Sequence, residues 1–95
     1  TASGASCAPS LRAAVESVFA GQTRYSWVLD GRFKGGHITR TYGQPDSGLH
    51  AVQLEMSWRA YMLEEPPHGW HEARAAAVTP LLESLVRTLR DWRPA

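Results

Sequence analysis

A single carboxylate near the end of an apolar run is the first candidate for chemistry in this sequence. Glu55 lies close to the C-terminal end of residues 49–56, and His50 lies near the start of the same segment. A carboxylate held in apolar surroundings can act as a general base, because it can take a proton from a nearby water molecule. The simpler alternative is that Glu55 marks the point where the segment leaves the core for solvent. We predict Glu55 as the catalytic residue and His50 as a group that supports it or touches a substrate.

A basic, glycine-rich segment precedes this carboxylate. Gly35 and Gly36 are adjacent, and they lie between Lys34 and Arg40. Paired glycines permit positive φ angles and a close approach of the backbone to a ligand, and an arginine can bind a carboxylate through two parallel hydrogen bonds. The segment predicts an anion-binding loop, with a flexible basic connection between two strands as the alternative. It matches neither the Walker phosphate loop nor the dinucleotide fingerprint.

The four histidines raise the question of a metal site. His68 and His71 form an H-x-x-H pair, but the pair lies across a loop that contains Pro66, Pro67 and Gly69 rather than on a regular helix face. A zinc site needs at least a third protein ligand at suitable spacing. The sequence offers no such set, so we predict no metal ligand within this chain.

Hydrophobic periodicity predicts two helices that would position these residues. The first begins at Pro9 and ends at Gly21 as a left-handed cap. The second covers residues 71–92, and Pro80 either kinks it or begins a new helix that Thr79 caps. The apolar stripes are Leu11, Ala14, Val15, Val18 and Phe19 in the first helix, and Ala75, Val78, Leu82, Leu85, Leu89 and Trp92 in the second.

Alternation of apolar and polar residues predicts two strands, at residues 24–29 and 49–56. The second is apolar enough to be covered on both faces. Two or more strands flanked by helices define an α/β fold. In open α/β sheets ligands bind at the carboxyl ends of the strands, which is where Glu55 would lie.

Length and composition indicate one small domain without an obvious polymeric partner. The chain has 95 residues and a formal net charge of +1, so neither nucleic acid nor an anionic membrane is indicated. No apolar run is long enough to span a bilayer. The single cysteine, Cys7, excludes an internal disulfide, and we expect it to be buried. The loop-like composition after Thr1 leads us to expect that the chain begins within something larger.

Several blocks, in their order along the chain, resemble the N-formylglutamate amidohydrolase family. The specific part is Phe-Lys-Gly-Gly at residues 33–36 followed by Gln-Leu-Glu at 53–55. Further matching blocks are the rest of residues 31–40, Tyr-Gly at 42–43, His-Ala-Val at 50–52, Tyr-Met at 61–62 and Gly-Ala-Ser-Cys at 4–7. The resemblance implies that residues 1–95 form the C-terminal segment of a single amidohydrolase domain. It also implies an α/β mixed sheet similar to zinc carboxypeptidases and aspartoacylases.

The resemblance further implies metal-assisted hydrolysis of an N-acyl amino acid, typically N-formyl-L-glutamate, to glutamate and formate in the cytoplasm, as a step of histidine degradation. Glu55 matches the position of the family's base. The substrate-binding residues would be Lys34, Gly35, Gly36, Arg40, His50 and Gln53.

Two departures from the family limit what this chain supplies. The family's metal ligands lie upstream of anything here, and Ser3 stands where the family has an acidic residue. A divalent metal, with zinc the first candidate, would therefore be bound by upstream residues, and the partner of this chain would be the N-terminal part of the same domain. The alternative function is a non-catalytic α/β binding or interaction module that lacks the metal site.

Overall fold

Three α-helices and three short 3-10 turns make up the regular structure of the computed structural model, which describes residues 1–94. Helix α1 covers Pro9–Ala20, α2 covers His37–Tyr42 and α3 covers Glu72–Asp91. The 3-10 turns are Ala2–Gly4, Pro45–Ser47 and Trp58–Ala60. Irregular segments connect these elements, and they carry most of the candidate site.

The core lies between the two long helices. Helix α1 packs against α3, and the buried cluster between them consists of Cys7, Leu11, Val15 and Leu85. Both predicted helices and the burial of Cys7, which is 1% exposed, are confirmed. The predicted left-handed cap at Gly21 is wrong: its φ is −77°, and its amide donates to the carbonyl oxygen of Ser17 at 3.1 Å. Helix α1 therefore ends without a left-handed residue.

Helix α3 continues through Pro80 as one element. Proline has no N–H to donate to the preceding turn, and such a gap weakens a helix locally. The hydroxyl of Thr79 donates to the carbonyl oxygen of Ala75 at 2.7 Å, so Thr79 is a residue inside the helix and not the cap of a new one. The cap lies at His71, whose Nδ1 accepts a hydrogen bond from the Arg74 amide at 3.1 Å.

The predicted α/β fold with a mixed sheet is wrong for residues 1–94. They contain helices and loops but no strand, and strand-like pairing is limited to two isolated bridges, Gln44 with Leu49 and Met62 with Trp70. Residues 24–29 and 50–57 are irregular. A strand requires a neighbour that satisfies its backbone N–H and C=O groups. Alternation in the sequence predicts which faces a strand would present, but it does not supply that neighbour.

The molecule is elongated and exposes much apolar surface. Its radius of gyration is 14.6 Å, with extents of 44 × 26 × 19 Å, whereas a compact domain of this length has a radius of gyration of about 12 Å. No helix within residues 1–94 is long and apolar enough to cross a membrane. The large exposed apolar side chains include Val28, Phe33, Ile38, Tyr42, Leu49, Trp58 and Trp70.

Candidate functional site

The glycine-rich loop leads directly into helix α2. Gly35 has a φ of +103°, a conformation that side chains disfavour. A Cβ at Gly35 would also lie 2.9 Å from Cγ2 of Thr39, so both backbone and packing require glycine there. Arg40 folds back onto this loop, because its Nη1 donates to the carbonyl oxygen of Gly35 at 2.9 Å. Lys34 and Arg40 are exposed, so the loop presents two positive charges to solvent.

Gln53 connects this loop to the predicted catalytic residue. Its Oε1 accepts hydrogen bonds from the amide of Gly36 at 2.8 Å and from the hydroxyl of Thr39 at 2.9 Å. Its Nε2 donates to Oε1 of Glu55 at 3.1 Å. Five candidate residues therefore lie in one network of hydrogen bonds and adjacent backbone: Gly35, Gly36, Arg40, Gln53 and Glu55.

Glu55 itself lies at the surface. The expected apolar surroundings are absent, since Leu54 and Met56 beside it are 42% and 36% exposed. Gln53 is the hydrogen-bond partner of Glu55 within residues 1–94, and it contacts Oε1. The other carboxylate oxygen, Oε2, is thus available to a water molecule or a ligand.

His50 is oriented by two contacts, with residues at the ends of the two long helices. Its Nδ1 accepts a hydrogen bond from the amide of Ala8 at 3.0 Å, so a neutral His50 carries its proton on Nε2. Its ring meets Trp92 edge-on, with ring centroids 4.8 Å apart. The first contact ties His50 to the start of α1 and the second to the end of α3, so both long helices fix its position.

His50 and Gln53 also line a groove of about 690 Å³ between α2 and the C-terminal end of α3. The groove combines an apolar surface with a few polar groups, as small-molecule sites do. Its other lining residues are Leu11, Ile38, Thr39, Ala51, Val52, Leu89 and Trp92. Thr39 and Trp92 were missed as site residues, because nothing in their local sequence distinguishes them from packing residues.

Asp30 anchors the N-terminal segment of the chain. The sequence indicates only a turn at this residue. Its Oδ1 accepts from the backbone nitrogen of Thr1 at 2.7 Å, and its Oδ2 accepts from the Thr1 hydroxyl and from Nε of Arg12, the latter at 3.1 Å. Burial acts to raise the pKa of Asp30, but these hydrogen bonds outweigh it, and the pKa lies well below its usual range. The Ala2 amide donates to the carbonyl oxygen of Lys34 at 2.7 Å, so the same anchored segment holds the glycine-rich loop.

His68 and His71, the H-x-x-H pair, both make structural contacts. His71 caps α3 through Nδ1, and the ring of His68 meets Trp58 edge-on at 5.3 Å. Across the part of the chain that the structure describes, no three His, Cys, Asp or Glu side chains come together in a way that would hold a metal ion. The residues present therefore do not form a metal cradle.

Comparison with known proteins places this chain in a class, the amidohydrolases. The profile of the family "N-formylglutamate amidohydrolase" matches residues 1–62. The chain belongs to this family, which confirms the resemblance that its sequence blocks carry.

Two curated relatives are similar to the chain along almost all of its length. The N-formylglutamate deformylase of Pseudomonas aeruginosa is 48% identical over 92 residues, which cover 97% of this chain and 35% of the relative. The N-formylglutamate deformylase of Pseudomonas putida is 47% identical, with 97% and 34% covered. The chain thus spans about a third of the length of these relatives. No solved structure matches it.

Proposed function

We propose that this chain is part of an enzyme that hydrolyses an N-acyl amino acid, with N-formyl-L-glutamate as the substrate and L-glutamate and formate as the products. The names of the two relatives support this activity. The observation that carries it is the bonded arrangement of Glu55, Gln53 and the basic glycine-rich loop. It combines a proton acceptor with positive charge, and the substrate has an amide bond to cleave and two carboxylates to bind.

Glu55 acts as the general base in this proposal. Its Oε1 is engaged by Gln53, which leaves Oε2 to accept a proton from the attacking water. The water oxygen adds to the formyl carbon, the bond from that carbon to the amino nitrogen breaks, and Glu55 returns the proton to that nitrogen. Formate and glutamate are then released.

The basic loop binds the carboxylates of the substrate. Arg40 uses one N–H to hold Gly35, and its exposed guanidinium retains further donors for a carboxylate. Lys34 adds a second positive charge, and the backbone at Gly35 and Gly36 permits close approach. From the groove, His50 offers its Nε2–H as a further substrate contact. The side chain of Gln53, predicted as another contact, is engaged by Gly36, Thr39 and Glu55.

Metal participation belongs to residues outside this chain. The described residues form no metal cradle, so a divalent metal, with zinc the first candidate, would be held by the N-terminal part of the same domain. Bound there, it would polarise the formyl oxygen. The elongated shape and the exposed apolar side chains support such a covering part, because compact domains bury surface of this kind.

The test is Glu55→Gln in the protein at its natural length. Gln preserves the shape of the side chain but cannot take the proton, so we expect kcat for N-formylglutamate to fall about a hundred- to ten-thousand-fold. Glu83→Gln, on the exposed face of α3, is the matched control and should retain full activity. Metal content and the melting curve are measured alongside.

Each other outcome redirects the assignment. A fall in kcat of less than about tenfold would remove Glu55 as the base. Loss of metal together with activity would make it a ligand, and loss of folding would make it a structural residue. If the unaltered protein does not turn over N-formylglutamate, the non-catalytic binding module is the better description.

A further inference from the structure

We propose that Gln53 is a positioning residue that fixes the carboxylate of Glu55 relative to the glycine-rich loop. This role rests on the proposed function of Glu55 as the base. It differs from substrate contact, because Gln53 acts through Glu55 and the bonds that it uses are already present in the structure without a ligand.

The orientation of the Gln53 amide is determined by its partners. The amide of Gly36 is a donor only, so the atom 2.8 Å from it must be the side-chain oxygen. The Thr39 hydroxyl also meets that oxygen, at 2.9 Å. The nitrogen must then face Glu55, whose ionised carboxylate only accepts. A flipped amide would place two donors together at Gly36 and two acceptors together at Glu55, so a single orientation satisfies all three contacts.

Both anchors of Gln53 are also held by contacts other than Gln53. Gly36 immediately precedes α2, and its backbone position is set by the start of that helix. Thr39 is only 4% exposed, so its side chain has little room to rotate. Gln53 is itself an exposed, flexible side chain. The two hydrogen bonds that its oxygen accepts therefore hold the Gln53 side chain in one conformation.

Glu55 depends on the Gln53 side chain for its orientation. Its side chain is exposed and has no other hydrogen-bond partner within residues 1–94. Without Gln53 the carboxylate would sample several rotamers, and only some of them would direct Oε2 toward the attacking water. A misplacement of about 1 Å in a reacting group can cost on the order of a hundredfold in rate.

Two substitutions separate the anchoring of Gln53 from its contact with Glu55. Gln53→Glu keeps the acceptor for Gly36 and Thr39 but replaces the donor that faces Glu55 with a second negative charge. Gln53→Met removes all three bonds at similar length. In the protein at its natural length we expect both to lower kcat for N-formylglutamate about ten- to a hundredfold, with KM changed less than about twofold.

The matched control is Gln44→Met. Gln44 is also an exposed glutamine beside α2, but its side chain donates only to the carbonyl oxygen of Thr41, at 3.1 Å. We expect its kcat and KM to be unchanged. Thr39→Val, which removes one anchor and preserves shape, should give a smaller fall in kcat than Gln53→Met does. It keeps the proposal testable if a Gln53 variant folds poorly.

A double-mutant cycle distinguishes positioning from a general structural role. In the Glu55→Gln background, Gln53→Met should cause no further fall in kcat, because the group that it positions has lost its function. Equal losses in both backgrounds, or full kcat in Gln53→Glu, would overturn the inference. If Glu55→Gln lowers kcat and the Gln53 variants do not, only this inference fails; if Glu55→Gln itself retains kcat, the proposed function fails first.

Discussion

Gly43, at the end of α2, lies so close to Ser6 that the structure leaves no room for a side chain there. A Cβ at Gly43 would be 2.5 Å from the Cβ of Ser6 and 2.6 Å from its carbonyl oxygen. Ser6 is held from the other side, because its hydroxyl donates to the carbonyl oxygen of Ala51 at 2.6 Å and its own carbonyl accepts from the Ala51 amide at 2.9 Å. The N-terminal loop, α2 and the segment that leads to Glu55 thus meet at one point.

Gly43→Ala should therefore destabilise the fold. Ordinary carbon contacts are about 3.5–4 Å, so Ser6 and Gly43 must separate by about 1 Å. Such overpacking costs about 1–3 kcal/mol, and each hydrogen bond to Ala51 that breaks adds about 1 kcal/mol. The φ of −74° suits alanine, and the reduced freedom of the unfolded chain returns about 0.4–1 kcal/mol. The net expectation is a loss of about 3 kcal/mol in the free energy of unfolding.

Urea denaturation followed by tryptophan fluorescence measures this loss. With an m-value of about 2 kcal/mol per molar, the midpoint should fall by roughly 1.5 M. Gly21→Ala is the matched control, since its φ of −77° is nearly the same and the nearest atom to a new Cβ is the Ser17 carbonyl oxygen at 3.4 Å. It should be neutral or slightly stabilising. If Gly43→Ala proved as stable as Gly21→Ala, the contact with Ser6 would not constrain α2.

Two further predictions concern charged side chains. Because the folded pKa of Asp30 lies below its usual 3.8, the stability that it contributes is fully present above that value and is lost as the pH falls toward the folded pKa. In the 95-residue chain, Asp30→Asn should lower the free energy of unfolding by about 3 kcal/mol at neutral pH and weaken the acid dependence in urea titrations, whereas exposed Asp46→Asn should do neither. Arg40→Ala should raise KM for N-formylglutamate and leave kcat nearly unchanged. An unchanged KM with reduced stability would limit Arg40 to its bond with Gly35.

The two long helices could be predicted from the sequence because their signal is local. One apolar stripe at helical spacing is enough to indicate both the element and the face that it buries, and Leu11, Val15 and Leu85 lie in the core as predicted. The strands could not be predicted in the same way, because pairing depends on a second segment distant in sequence. Residues 49–56 have the composition of a strand, but among the residues described their strand-like pairing is limited to the isolated bridge of Leu49 with Gln44.

Helix α2, in contrast, was not predicted, because its sequence carries no local signal for a helix. Its six residues include Ile38, Thr39 and Thr41, which are poor helix formers, and so short a helix is marginal in isolation. It is supported by contacts from elsewhere, namely the burial of Thr39 and the hydrogen bond that the Thr39 hydroxyl donates to Oε1 of Gln53, 14 residues away. The sequence blocks identified the residues of the candidate site, but the bonds that connect them arise from this tertiary arrangement.

Glu55 is exposed, so a protein segment that covered this surface would change the environment of the candidate site. Leu54 and Met56, on either side of Glu55, are large apolar residues that remain in contact with solvent. A protein segment that buries them and leaves room for the attacking water would also exclude bulk solvent from Glu55. Hydrogen bonds and charge attractions strengthen where water is excluded, so the bond from Gln53 and the influence of the basic loop would both increase. The same contact that completes the hydrophobic surface would therefore also fix the carboxylate more firmly for proton transfer.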